Sequence, residues 1–419
     1  MKISEQEKLP QHEREQRMDE KLRELVQFAY ENAPVVKERF DKTGIGPSDI
    51  RVAKDLTKLP LMDKEELLEQ EKRNPPFGGF LTVPVSQVGW VFVSPGPVYE
   101  LLPGEIATKA RAFSAAGFGD NDIVLNTVTY HLTPAGILFD CALRSIGAVV
   151  IPAGTGNTEI QVQAMHDLGV TAYVGTPSFL MVLVERAEEQ GYRFKRDFEL
   201  QRALVTAEML PESMRKKFAD DYGIEVMQDL GIAEVGSVAY ECTQKSGMHV
   251  HDEIIAEIID PKTGEQLGPE EVGELVLTSM KKDFPLIRYR TGDLSAYTDE
   301  PCPCGRTSPR LLGILGRVGA AIKVRGMFLH PKEVERAVLQ VPQTTRFQAI
   351  VSRAGSRDKL KLRVEIEKSG LKISKESMEE QLKAKVKDSC RLKVDEVEFV
   401  PVGTILAEEE NRIIDERSW

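Results

Sequence analysis

Apolar residues fall at different spacings along this chain, and each spacing predicts a different element. From Glu13 to Arg39, Leu22, Leu25, Val26 and Ala29 recur at three- and four-residue steps in charged text, which predicts an amphipathic helix. Ile50 to Lys72 reads as a docking segment: Leu56, Leu59 and Leu61, then a helix that Asp63 caps, with Glu65 and Glu66 in its first turn. From Asp122 to Gly191 short apolar runs alternate with helical text. Strands are expected at 123–125, 148–152 and 171–175, and helices at 134–146, 159–168 and 176–188. That alternation means a parallel sheet with crossover helices.

After about Met248 the pattern becomes antiparallel, with strands at 254–259 and 271–279 around a turn at 260–264. Past Gly316 a smaller unit follows. It has a helix from Pro331, strands near 347–351 and 360–366, a helix at 375–388 and a strand at 394–400. The expected fold class is therefore α/β. A large N-terminal domain, 1–316, carries parallel sheets, crossover helices and an antiparallel β portion, and a small α+β domain spans 317–419.

Composition narrows the class without naming a function. At 419 residues the chain exceeds what one core serves. Hydrophobic content of 41% and charged content of 29% describe an ordinary globular protein. A net charge of -11, from 55 basic and 66 acidic residues, argues against nucleic acid as a partner. The first residues lack the apolar core of a signal peptide, and no run is long enough to span a membrane. Five cysteines, two of them in a C-x-C, suit a reducing cytoplasm better than a disulfide framework.

Two sites of chemistry stand out. In Ile287-Arg288-Tyr289-Arg290-Thr291-Gly292-Asp293-Leu294 an aspartate just past a Thr-Gly turn can accept two hydroxyl protons, as a ribose diol offers. Arg288 and Arg290 suit phosphate or carboxylate. The plainer alternative is a hairpin with an ion pair. Cys242, His249, Cys302 and Cys304 offer three thiolates and an imidazole, a set suited to tetrahedral structural zinc. His251 rivals His249, because both share a face of an extended strand. The alternative is a set of reduced turn and core cysteines. Cys141 and Cys390 read as buried helix residues.

The order Gly231…Glu234, Arg-Tyr-Arg-Thr-Gly-Asp, Gly316-Arg317, Arg325-Gly326 resembles the adenylate-forming enzymes, more narrowly the phenylacetate–coenzyme A ligase group, over residues 20 to 405. The resemblance implies ATP and AMP, Mg²⁺ and coenzyme A as cofactors, with a small carboxylic acid, aromatic acids included, as substrate. It also implies a homodimer that uses no membrane. It gives Asp293 to the ribose, Gly231 and Glu234 to Mg²⁺ and the phosphate end, and Ala207 and Glu208 to the adenine pocket. Arg317 goes to the ribose beside the hinge, Arg325 and Gly326 to the pantetheine path, Ser94 and Gly96 to the phosphate loop. Tyr130 and His131 fall on the wall of the acyl pocket. Thr176 reads as a helix cap rather than a ligand contact.

Departures matter as much. The phosphate loop, Val93-Ser94-Pro95-Gly96-Pro97-Val98-Tyr99-Glu100, has lost its threonines, two prolines delete N–H donors, and Glu100 adds a charge that repels a triphosphate. Ala233 replaces the hydroxyl residue beside Glu234. Glu409 stands where the resemblance places a lysine, and no lysine follows Lys393, leaving Lys323 or Arg412 as substitutes. Loss of one such preorganised donor costs about 3–4 kcal/mol in the transition state. Val318-Gly319-Ala320-Ala321 fills the hinge. The expected activity is an ATP-dependent acyl-CoA ligase. The alternative is an adenylate- or acyl-CoA-binding relative that has lost the ATP half-reaction.

Overall fold

The computed structural model describes residues 5–417 apart from 95–97, 102–104, 262, 319–321, 326, 330, 355–356, 367–373 and 406–411. Gly96, the hinge at 319–321, Gly326 and Glu409 thus lie outside the described residues. The chain divides into two compact units, Met1–Leu315 and Gly316–Trp419.

In the first unit the N-terminal helical pattern forms two helices, α1 (Gln11–Asn32) and α2 (Pro34–Thr43). The break falls at Pro34, which cannot donate the hydrogen bond that would continue α1. Asp63 caps α3 (Lys64–Arg73), its Oδ1 accepting from Glu66 N at 2.8 Å. Strands β1 (Val91–Ser94) and β2 (Val98–Leu101) form an antiparallel hairpin.

The alternating stretch follows as α4 (Glu105–Ala115), β3 (Ile123–Asn126), α5 (Ala135–Ser145), β4 (Val149–Pro152), α6 (Thr158–Asp167), β5 (Ala172–Gly175) and α7 (Pro177–Glu189). Short α8 (Phe194–Asp197), β6 (Arg202–Val205), short α9 (Glu212–Lys217) and β7 (Glu225–Ile232) complete it. Antiparallel strands β8 (Gly236–Glu241), β9 (Met248–Val250), β10 (Ile254–Ile259), β11 (Gly273–Ser279), β12 (Tyr289–Thr298) and β13 (Arg310–Arg317) come next.

These make one 11-stranded sheet in the order β10-β11-β12-β13-β9-β8-β7-β6-β5-β3-β4. Pairing is parallel from β4 through β7 and turns antiparallel at β7–β8. The inner parallel strands β3, β5 and β6 are buried on both faces. Tyr173 points into the cluster with Leu180 and Phe194, while Ala172 and Val174 face Phe113 and Phe139. The carboxyl ends of β5, β6 and β7 consequently lie along one edge, the usual ligand-binding side of such sheets.

The second unit has a hairpin, β14 (Ile322–Val324) with β15 (Met327–Leu329), then α10 (Pro331–Val338), β16 (Thr344–Ala354) and β17 (Arg357–Ile366). After α11 (Lys375–Cys390) come β18 (Glu396–Pro401) and β19 (Ile413–Asp415), giving a sheet in the order β18-β17-β16-β19. Val334, Ala337, Leu382 and Val386 of the helices pack on alternating Ala349, Val351, Leu362 and Val364. Cys390 is buried as expected, whereas Cys141 is half-buried. Among the described residues no helix is long and apolar enough to cross a membrane.

Candidate active site

Asp293 owes its position to a bulge. Val276 pairs with Arg290 but Glu274 pairs with Leu294, so β12 carries two more residues than β11 across that stretch. Gly292 takes φ +71°, a left-handed conformation that side chains resist. Thr291 Oγ1 donates to Leu275 O at 2.8 Å and accepts from Asp293 N at 3.0 Å. The aspartate is buried at 2% exposure.

The neighbouring arginines pair with carboxylates of adjacent strands. Arg288 donates to Glu257 at 3.0 and 3.2 Å and to Leu59 O at 2.7 Å. Arg290 holds Glu274 at 2.5 and 3.0 Å. Strands β10 and β11 each present a glutamate to β12, and buried guanidinium and carboxylate must neutralise one another. The same region binds the docking segment: Met62 N donates to Arg288 O (2.9 Å) and accepts from Arg290 N through its own carbonyl (2.7 Å). That places the start of α3 beside the β7–β8 turn.

Glu234 sits in that turn, not at a helix start, with its side chain 6% exposed and 3.1 Å from Lys64 Nζ. Gly231 and Ala233 beside it are exposed. At the end of β6, Ala207 adopts φ +67°, and Glu208 Oε2 accepts from Ser178 N at 3.3 Å. Thr176 caps α7, accepting from Phe179 N at 3.2 Å. Ser94 is the last residue of β1. Tyr130 is tied down locally, accepting from Asn126 at 2.8 Å and donating to Asp140 at 3.2 Å, and burial raises its hydroxyl pKa. His131 is exposed.

In the second unit Arg317 ends β13. Arg325 spends its guanidinium on the carbonyls of Asp358 and Lys393, both at 2.9 Å, and on Asp395. Arg412 pairs with Glu335 and stacks over Phe347, so it is committed to the fold.

Around Glu234 the structure gathers groups that spacing did not reveal. Glu100 of β2 interacts electrostatically with Glu234, Lys281, Lys64 and Glu71 of α3, and Glu71 with Glu234 and Lys64. Burial, with Glu234 adding, pushes Glu100 up to about 9 and Glu71 up to about 7, while burial brings Lys281 down to about 8. Glu100 is 7% exposed, and its Oε1 has no hydrogen-bond partner among the described residues. At neutral pH this carboxyl is therefore a neutral acid, and the repulsion expected of it is largely absent. The opposite kind of burial occurs nearby: Lys109 Nζ reaches both oxygens of Asp229 at 2.7 Å, each side chain 1% exposed.

The cysteine set does converge. Ligand atoms of Cys242, His249, Cys302 and Cys304 all lie within 4.8 Å of one another. Cys242 and Cys302 Sγ are 3.9 Å apart, and Cys304 Sγ is 3.4 Å from His249 Nε2. A tetrahedral zinc with Zn–S bonds of 2.3 Å requires sulfur–sulfur edges of about 3.8 Å, so the donor set fits the ion. Ser308 Oγ holds His249 Nδ1 at 3.2 Å, leaving Nε2 for the thiols. Burial first, then Arg306, lowers His249 to about 4, which keeps the ring neutral. His251 lies past the end of β9 with its ring 4.6 Å from that of Tyr240, outside the set. Glu7 straps the N-terminal segment over this site, accepting from Tyr240 OH (2.6 Å) and Arg306 Nε (3.0 Å).

Comparison with known proteins places these features in a family. Residues 104–281 match the AMP-binding enzyme family and 326–417 its C-terminal domain. The phenylacetate–coenzyme A ligase of Thermus thermophilus is 32% identical over 86% of this chain and 83% of its own length. The enzyme of the same name from Escherichia coli (strain K12) is 30% identical over 92% and 90%. Among solved structures, 2-hydroxyisobutyryl-CoA ligase with 2-HIB-AMP and CoA in the thioesterification state superposes with a TM-score of 0.91. It is 25% identical, over 99% of this chain and 92% of that one. An open conformation of that enzyme gives a TM-score of 0.73 at 26% identity, over 98% and 93%. With these matches running through both units, the chain belongs to the phenylacetate–coenzyme A ligase family of adenylate-forming enzymes.

Proposed function

We propose that this protein joins a small carboxylic acid to the AMP moiety of ATP, releasing pyrophosphate, and passes the acyl group to the thiol of coenzyme A, releasing AMP. The observation that carries the reading is the buried Asp293, held at the Thr291-Gly292 bulge of a chain related throughout to such ligases. Its carboxylate accepts the two ribose hydroxyls. Ala207, Glu208 and Gly231, on the edge formed by β6 and β7, line the adenine.

Glu234 offers a hard oxygen of the kind Mg²⁺ takes, and the ion neutralises phosphate charge when bound. Lys64, paired with Glu234, adds positive charge that the stretch around Ser94 and Gly96 lacks. By the same resemblance Arg317 is assigned to the ribose and the segment at Arg325 and Gly326 to the pantetheine path, the Arg325 guanidinium itself being held by Asp358, Lys393 and Asp395. The Cys₃His set holds a structural zinc away from the chemistry, which calls for a reducing compartment. Pairing with a second copy belongs to the same reading. The open edge at β4, where Val149 is 59% exposed, is consistent with it.

The test is calorimetric binding of ATP and AMP with Mg²⁺, followed by pyrophosphate release across aryl and short-chain acids. Acid-dependent release that Asp293→Ala abolishes supports the ligase. A second reading rests on the residue at 409, a glutamate where a lysine is expected: the protein then handles only a ready-made acyl-adenylate. AMP binding without ATP affinity, together with thioester formation from synthetic acyl-adenylate, would select it.

A further inference from the structure

Residues 5–9 are fastened to the loop that carries two of the four candidate zinc ligands. Glu5–Lys8 form a short 3₁₀ turn, and Glu7 within it is buried although it is an acid. Its Oε1 accepts from Tyr240 OH at 2.6 Å and from Arg306 Nε at 3.0 Å. Its backbone carbonyl accepts from Thr307 N at 3.1 Å, and the carbonyl of Leu9 accepts from Thr307 Oγ1 at 2.7 Å.

Each of these partners neighbours a ligand in the chain. Tyr240 shortly precedes Cys242, and its ring lies 5.9 Å from that of His249. Arg306 and Thr307 follow Cys304, and Arg306 N donates to Cys304 Sγ at 3.4 Å. Cys304 is half-buried where the other three ligands are buried, so the set is most accessible at this loop. Loop 302–307 therefore has two fastenings, the ligand set on one side and residues 5–9 on the other. Helix α1 is anchored elsewhere: Lys21 Nζ reaches Glu253 at 2.6 Å and Asp252 O at 3.2 Å. Residues 5–9 can thus detach while α1 stays in place.

We infer that residues 5–9 are a latch on the metal site, holding loop 302–307 in liganding geometry and retarding loss of the ion, and that the ion in turn keeps the latch closed. The inference rests on the zinc reading above. Such coupling is reciprocal: whatever free energy the latch adds to metal binding, the metal adds to latch closure. Partners standing behind metal ligands typically set affinity by about 10–100-fold. Charge alone acts in the opposite direction. Three thiolates on a divalent ion leave a net negative centre, which the Glu7 carboxylate opposes. Faster metal loss once Glu7 is removed therefore reports the latch rather than the charge.

The test follows zinc transfer from the zinc-loaded whole protein to an excess of a chromophoric chelator. Glu7→Ala should speed release by about tenfold. Thr307→Val, which leaves every charge in place and removes one latch bond, should speed it by about threefold. Trypsin reads the reverse coupling. Removing zinc from the unaltered protein should accelerate cleavage after Lys8 by about tenfold, while cleavage after Lys21, within α1, stays slow. Release rates unchanged in both variants, or cleavage after Lys8 that ignores zinc, overturn the latch while the zinc reading stands. Equal acceleration at Lys8 and Lys21 means general loosening and overturns it too. A protein that takes up no zinc overturns both.

Discussion

The first unit buries two clusters of ionisable groups, and burial has opposite consequences in them. Cys242, His249, Cys302 and Cys304 are donors packed at the edge length of a tetrahedron, the spacing at which one cation can reach all four. Glu71, Glu100 and Glu234 are hard oxygen donors near two lysines, and they relieve their charge with protons and ammonium groups instead. The donor chemistry, not the degree of burial, decides whether a cluster waits for a metal or responds to pH.

Removing metal should separate the two most strongly. Chelation, or Cys302→Ser with Cys304→Ser, is expected to lower Tm by roughly 10 °C or more, because a structural zinc contributes folding energy directly. Differential scanning with metal analysis checks this, and an unchanged Tm in a metal-free protein would break the comparison. The Lys109–Asp229 pair is the control, buried as deeply, with each side chain answered by the other at 2.7 Å. Asp229→Asn should cost about 3–5 kcal/mol in urea unfolding, since it strands a buried ammonium.

The carboxyl cluster should show itself in pH dependence. Glu100 is raised in the folded state from 4.5 to about 9, so the folded protein holds a proton that the unfolded chain gives up. Stability therefore falls as pH climbs from 4.5 towards 9, and Glu100→Gln should flatten that decline. Denaturant midpoints at several pH values measure it, and parallel curves for the two proteins would contradict it. The smallest effect belongs to Thr176→Ala. Loss of the α7 cap should cost about 1 kcal/mol and leave AMP affinity untouched, separating a fold residue from a ligand residue on the same edge.

Much of the fold was legible because it follows from local pattern. Strand β10 spans the predicted 254–259, and α7 and α11 keep their predicted starts within a residue. The break at Pro34 was passed over because apolar spacing continues across it, and β19 because three residues carry no periodicity. At the site, Thr291-Gly292 marked the bulge that presents Asp293. The fate of Arg288 and Arg290 was not readable, since Glu257 and Glu274 approach from neighbouring strands. Nor was the choice between His249 and His251, which turns on where β9 ends.

The sequence by itself determined which segments coil, which extend, and where a turn must hold an aspartate, because periodicity, capping and left-handed glycines act over a few residues. Only the tertiary structure decided which charges cancel, which carboxyls keep their protons and which four of the five sulfur and imidazole candidates meet. Those outcomes depend on partners far away in the chain and on how completely water is excluded, and neither is a property of any short stretch of residues.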